Sequence, residues 1–221
     1  MFFNIQSFSE LIFRLIAVIL ALTFHEFSHG LAAYLMGDDT ARSQGRLTLN
    51  PLKHIDIFGC IMLLLVGFGW AKPVGVNPMR FKNPKAGMAI TALAGPVSNF
   101  ILAFIFYVLA LVVQINATGA NGQIGQTAIA VITFFSVCIS MNIGLGIFNM
   151  IPVPPLDGSR VVTAFLPDRM YFGIMRYERY IMIGLMALLF LNVLDVPLSF
   201  LFAKVWDGIS FLAEGLVSLF M

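Results

Sequence analysis

Between Ala86 and Ile115 the chain runs for thirty residues without a single Asp, Glu, Lys or Arg. A helix that is apolar all round has no face to offer water, and about 20 such residues cross the ~30 Å hydrocarbon core of a bilayer. Three more runs, Leu11–Met36, Thr127–Ile151 and Phe172–Leu194, are long enough to span with some tilt. A fifth, Val196–Met221, sets Lys204, Asp207, Phe211 and Glu214 at helical spacing on one side. That pattern suits a span with a polar packing face or an amphipathic helix lying in the interface; the span is the reading adopted.

With 59% of 221 residues hydrophobic and 11% charged, little is left from which to build a soluble domain. The expected fold is an all-α polytopic membrane bundle of four to six transmembrane helices, one domain over residues 1–221, with C-terminal helices over 170–221. Residues 57–70, IFGCIMLLLVGFGW, are too short for an ordinary crossing and predict a re-entrant or interfacial segment. The Pro-, Val- and Gly-rich AKPVGVNPMRF that follows predicts a short extended or β-hairpin piece at the membrane surface.

Eleven of the thirteen Lys and Arg lie in residues 37–85 and 152–179, whereas NATGANGQIGQ at 116–126 carries no charge. The positive-inside rule then puts both basic segments in the cytoplasm and the N-terminus outside. The net charge of +2 is small and scattered, which argues against nucleic acid as a partner. Cys60 and Cys138 sit far apart in apolar segments and read as buried thiols rather than a disulfide. The first ten residues lack the basic start of a cleaved signal peptide, so Leu11–Met36 is expected to be retained. A small multi-pass protein of this kind fits a prokaryotic cell membrane.

Inside the first span stands TFHEFSHG, residues 23–30, holding two of the protein's three histidines. An ionisable group at mid-membrane costs about 2.5–3.5 kcal/mol on insertion scales, so three together need a reason. On a helix, His25 and His29 lie within about 40° and roughly 6 Å of each other, which suits two imidazoles on one metal ion. Glu26, one position round, stays free to act on a metal-activated water. A cation would also compensate the carboxylate, making the cluster stable as a unit. The plainer alternative is a polar patch or proton relay between packed helices.

A catalytic zinc site commonly takes three protein ligands. Asp38, Asp39 and Asp56 lie just beyond the first span and qualify on charge. Asp157, in FNMIPVPPLDGSR at 148–160, is the most suggestive, because Pro152, Pro154 and Pro155 force extended backbone, which is tolerated at membrane depth where it lines a polar cavity. An ordinary turn or helix cap is the competing reading of Asp157. The third histidine, His54, has no second ligand beside it and reads as a capping or hydrogen-bonding residue.

The combination resembles the site-2 protease family of intramembrane zinc metalloproteases, in a minimal form without PDZ or CBS domain. HEFSH matches that family's H-E-x-x-H, AGPVSNF (Ala94–Phe100) its G-P-x-x-N stretch, and NMIPVPPLDG (Asn149–Gly158) its N-P-x-x-x-L-D-G type motif. NPLKHID and GWAKPVGVNP also have its look. The likeness covers about residues 20–165. One departure is that Asn149 is followed by Met150 and Ile151 before Pro152, so the strict N-P pair is not adjacent. The resemblance implies a catalytic core at about 11–165 with one Zn2+ held by His25, His29 and Asp157. It also implies Glu26 as general base, Asn149 at the active-site water or oxyanion, and a transmembrane protein as substrate. Lys72–Phe81 is expected to hold an unwound substrate strand by β-addition. The rival reading, a metal transporter, requires a polar path across the bilayer, which the apolar Leu15–Phe24 stretch argues against.

Overall fold

The computed structural model describes residues 8–66, 71–118 and 124–220. Nine α-helices occur among them: α1 (Phe8–Leu35), α2 (Thr40–Ser43), α3 (Ile57–Val66), α4 (Pro84–Ala117), α5 (Gln126–Asn149), α6 (Asp157–Thr163), α7 (Asp168–Arg176), α8 (Glu178–Phe190) and α9 (Asp195–Ser218). Four of these, α1, α4, α5 and α9, are long and apolar enough to cross a membrane. The chain is a polytopic helical membrane protein.

Helix α4 is the axis of the bundle. Its start is fixed by Pro84 at the first turn and by the Asn83 side chain, which accepts from the Ala86 amide. At 1.5 Å per residue its 34 residues reach about 51 Å, longer than the hydrocarbon core, so it tilts or projects. It packs against α1, α5, α6 and α9. Ala103, Ile139, Ile143, Ile147 and Ile209 form one buried cluster where α4, α5 and α9 meet. Val18 and Leu22 of α1 form a second, closed by Met141 and Leu145 of α5 and by Ile55 and Ala71.

Two expectations from the sequence are corrected. The run Phe172–Leu194 is not one span: it breaks at Tyr177 into α7 and α8. Arg176, Glu178 and Arg179 occupy its first third, and the 13 residues of α8 reach only about 20 Å. The fourth long helix is α9, whose apolar face lies along α4 and α5. No β-hairpin forms among the described residues, where the only β pairing is an isolated bridge between Thr118 and Ile124. Residues 71–77 run extended, with several backbone groups engaged by side chains and loops instead of a second strand. Helix α3, at 10 residues, is too short to cross. The rest of the expected re-entrant piece, residues 67–70, lies outside the described residues.

Candidate metal centre

Helix α1 presents His25 and His29 one turn apart toward α4, and both are buried. The His29 Nδ1 lies 2.7 Å from the Thr91 carbonyl, which can only accept, so this nitrogen carries the proton. The His25 Nδ1 lies 2.7 Å from Asn99 Oδ1. The Asn99 Nδ2 donates to the Ala21 carbonyl and to Asn142 Oδ1, and Asn142 Nδ2 donates in turn to the Cys138 carbonyl. That relay fixes the Asn99 amide orientation and makes its oxygen the acceptor for His25. Both rings are therefore locked as the tautomer whose Nε2 holds a bare lone pair.

These two nitrogens face each other at 3.0 Å. The Asp157 Oδ2 lies 3.2 Å from one and 3.3 Å from the other. It is enclosed and has no hydrogen-bond donor of its own. With both imidazoles neutral, three acceptor atoms converge on one point, an arrangement that a cation between them stabilises. Atoms 2.0–2.2 Å from a tetrahedral zinc stand about 3.3–3.6 Å apart, close to the edges of this triangle. Two imidazoles and one carboxylate are also a donor set that zinc takes. The residues fit the ion.

Two glycines allow this convergence. A Cβ at Gly95 would fall 2.5 Å from His29 Cε1 and Nε2 and 2.6 Å from His25 Cε1, so α4 approaches the rings only because Gly95 has none. A Cβ at Gly158 would fall 2.3 Å from the Met150 carbonyl oxygen, so the first turn of α6 packs on the end of α5 for the same reason. The prolines after α5 turn the chain back, and Asp157 begins α6 in the bundle rather than in water.

Glu26 is buried, and its Oε2 accepts from the Val74 amide at 2.9 Å. The extended segment that supplies this amide is tied down on both sides. Lys72 N donates to the His54 carbonyl, Arg46 donates to the Pro73 carbonyl, and Asn77 N donates to Asp38 Oδ2. Asn149, the last residue of α5, is half-buried and its Nδ2 donates to the Leu145 carbonyl, within its own helix.

The other acids and the third histidine have different work. Asp38 accepts from Thr40 and Asn77, Asp39 pairs with Arg80, and Asp56 caps the first turn of α3 through Gly59 N. His54 is enclosed and its Nε2 donates to the Thr48 carbonyl. Reading the sequence did not single out Thr91, Asn142 or Val74, nor the support that Asn99 gives to His25. Asn99 and Asn142 carried a usable signal: each is an amide deep in an apolar run, where a polar group must find a partner.

The family model described as Peptidase family M50 matches residues 13–122 and 120–192. A Bacillus subtilis (strain 168) protein provisionally named zinc metalloprotease YwhC is 43% identical over 168 residues, covering 76% of this chain and 75% of its own length. A Methanocaldococcus jannaschii protein, also provisionally named a zinc metalloprotease, is 33% identical over 163 residues, 72% of this chain and 75% of its own length. The Mycolicibacterium smegmatis protein Rip2, with the same provisional description, is 30% identical over 144 residues, 63% of this chain and 52% of its own length. No solved structure matches the chain.

Proposed function

This chain belongs to peptidase family M50, and from that premise we propose an intramembrane zinc metalloprotease that cuts peptide bonds in or near the transmembrane segments of other membrane proteins. The observation that carries the reading is the triangle of two imidazole Nε2 atoms and one carboxylate oxygen converging inside a membrane bundle.

In this proposal His25, His29 and Asp157 hold one Zn2+. When bound there, zinc would lower the pKa of a water to about 7 and polarise the scissile carbonyl. Thr91 and Asn99 hold the Nδ1–H of each imidazole and so aim both Nε2 atoms inward, where a metal ion takes the lone pair of the neutral ring. Glu26 takes the proton of the attacking water and returns it to the leaving amine. The Val74 amide on Oε2 orients that carboxylate and leaves Oε1 for the proton. Asn149 turns from the Leu145 carbonyl to steady the water or the oxyanion.

A substrate helix must unwind before its peptide bonds can be reached. Residues 71–77 are the surface proposed to receive the unwound strand. The backbone groups of Gly75 and Val76 and the Val74 carbonyl make no hydrogen bond among the described residues, so they are available for β-addition. In the proposal this end of the site lies on the cytoplasmic side of a prokaryotic cell membrane, a sidedness that the basic loops before α4 and after α5 support.

The test is Glu26→Gln in the purified full chain. Zinc content should stay at one per chain while cleavage of a transmembrane substrate in proteoliposomes stops. A mutant that still cleaves removes Glu26 as the base.

A further inference from the structure

Helix α9 buries one face and leaves the opposite one bare. Ile209, Ala213 and Val217 are buried, and Leu198, Phe202, Val205 and Trp206 pack against the α4–α5 cluster, so α9 runs along the bundle from Leu198 to Val217. That contact stands it beside two spanning helices rather than flat on the membrane. At 100° per residue, Lys204, Phe211 and Gly215 point about 180° away from this face, with Asp207 and Gly208 within about 60° of them. All five are exposed. Among the described residues the Lys204 ammonium lies over the Phe200 ring of its own helix and makes no hydrogen bond or ion pair, and neither does the Asp207 carboxylate. Glu214, on the flank, is near the Tyr107 hydroxyl at 3.4 Å.

Opposite charges near the middle of a span, turned toward lipid, are costly, and intramembrane charges usually face a partner. The two here sit three residues apart, about 4.5 Å along the axis. Copies of one membrane protein share an orientation, so a two-fold axis between them is normal to the membrane and sets the two α9 helices parallel. Lys204 of each copy then stands one short step from Asp207 of the other, and both pairs close by the same symmetry. Added Cβ atoms at Gly208 and Gly215 would meet nothing within 4 Å, so the backbones are free to come close along this stripe. We propose that the exposed face of α9 joins two copies of this chain in a parallel two-fold dimer, with Lys204 of each copy paired with Asp207 of the other.

The experiment is energy transfer between donor- and acceptor-labelled copies of the full chain in phosphatidylcholine–phosphatidylglycerol vesicles, over a range of protein-to-lipid ratios. Wild type should exceed the level of random proximity. Lys204→Asp and Asp207→Lys should each move the association midpoint at least tenfold toward higher protein density. The swap of both, K204D/D207K, should bring it back to within about threefold of wild type. K204Q/D207N inserts more easily than the reversals and should also dissociate, which guards against a reversal that fails to fold. Zinc content serves as the fold control and does not depend on the dimer. Wild type at the random level, association by K204Q/D207N equal to wild type, or a swap that stays monomeric overturns the proposal. So does a wild-type chain that is monomeric in vesicles yet cross-links through α9 to a different protein in native membranes.

Discussion

At the scale of single residues, the site is made as much by Gly95 and Asn99 as by the ligands. Gly95→Ala drives a methyl group against the edges of two imidazole rings that hydrogen bonds to Thr91 and Asn99, one turn either side on α4, hold in place. Overpacking of this kind costs about 1–3 kcal/mol where neighbours can yield. Here the rings must move, so zinc content of the purified variant should fall below one-tenth of wild type. Asn99→Ala leaves the rings room but takes the acceptor from the His25 Nδ1 proton. Loss of such an orienting partner typically weakens metal binding 10–100-fold, and competition with a zinc chelator should read a change in that range. The histidine pair was legible in the sequence because its spacing is a helical period. The Thr91 carbonyl was not, since a backbone acceptor leaves no mark on residue type.

At the scale of elements, the extended segment 71–77 depends on Asp38. Burial pushes the Asp38 carboxyl up, but donors on Thr40 and Asn77 and the charge of Arg80 outweigh it and hold it below the usual carboxylate range. A depressed folded value means that its contribution is complete above the unfolded value, near 4, and is lost as pH falls through the lower folded one. Asp38→Ala should therefore unlock residues 71–77 at neutral pH. Hydrogen exchange at the Asn77 amide should quicken at least tenfold, consistent with losing a bond to a charged acceptor worth about 1.5–3 kcal/mol. If the segment receives substrate, KM should rise more than kcat falls. The stretch read as extended because Pro, Val and Gly disfavour helix, yet a hairpin did not follow. Its partners are the Glu26 side chain on α1, the Asp38 and Arg46 side chains and the His54 carbonyl, a scattered set that no alternation pattern encodes. The run Phe172–Leu194 misled for the opposite reason: overall hydropathy hid the RYER cluster, where the helix breaks.

At the scale of the whole molecule, the bundle brings Asp157 across nearly 130 positions to the pair on α1, with α4 as the shared wall. Four spans and the asymmetry of basic residues set the loops. Single cysteines at Asn116 and Arg169 should label with impermeant maleimide from opposite faces of the membrane, the first from outside. Labelling of both from one face would break the topology. The ends of this bundle were readable from composition. That its fourth span is α9 follows from the length and apolarity of that helix together with its packing on the cluster of Ile139, Ile143 and Ile147. The most direct test of the account is zinc content of the purified Asp157→Ala chain beside wild type. Wild type should hold one ion per chain and the variant less than one-tenth of that, its His25 and His29 still in place. A variant that retains a full equivalent of zinc would contradict the convergence of these three residues on one metal.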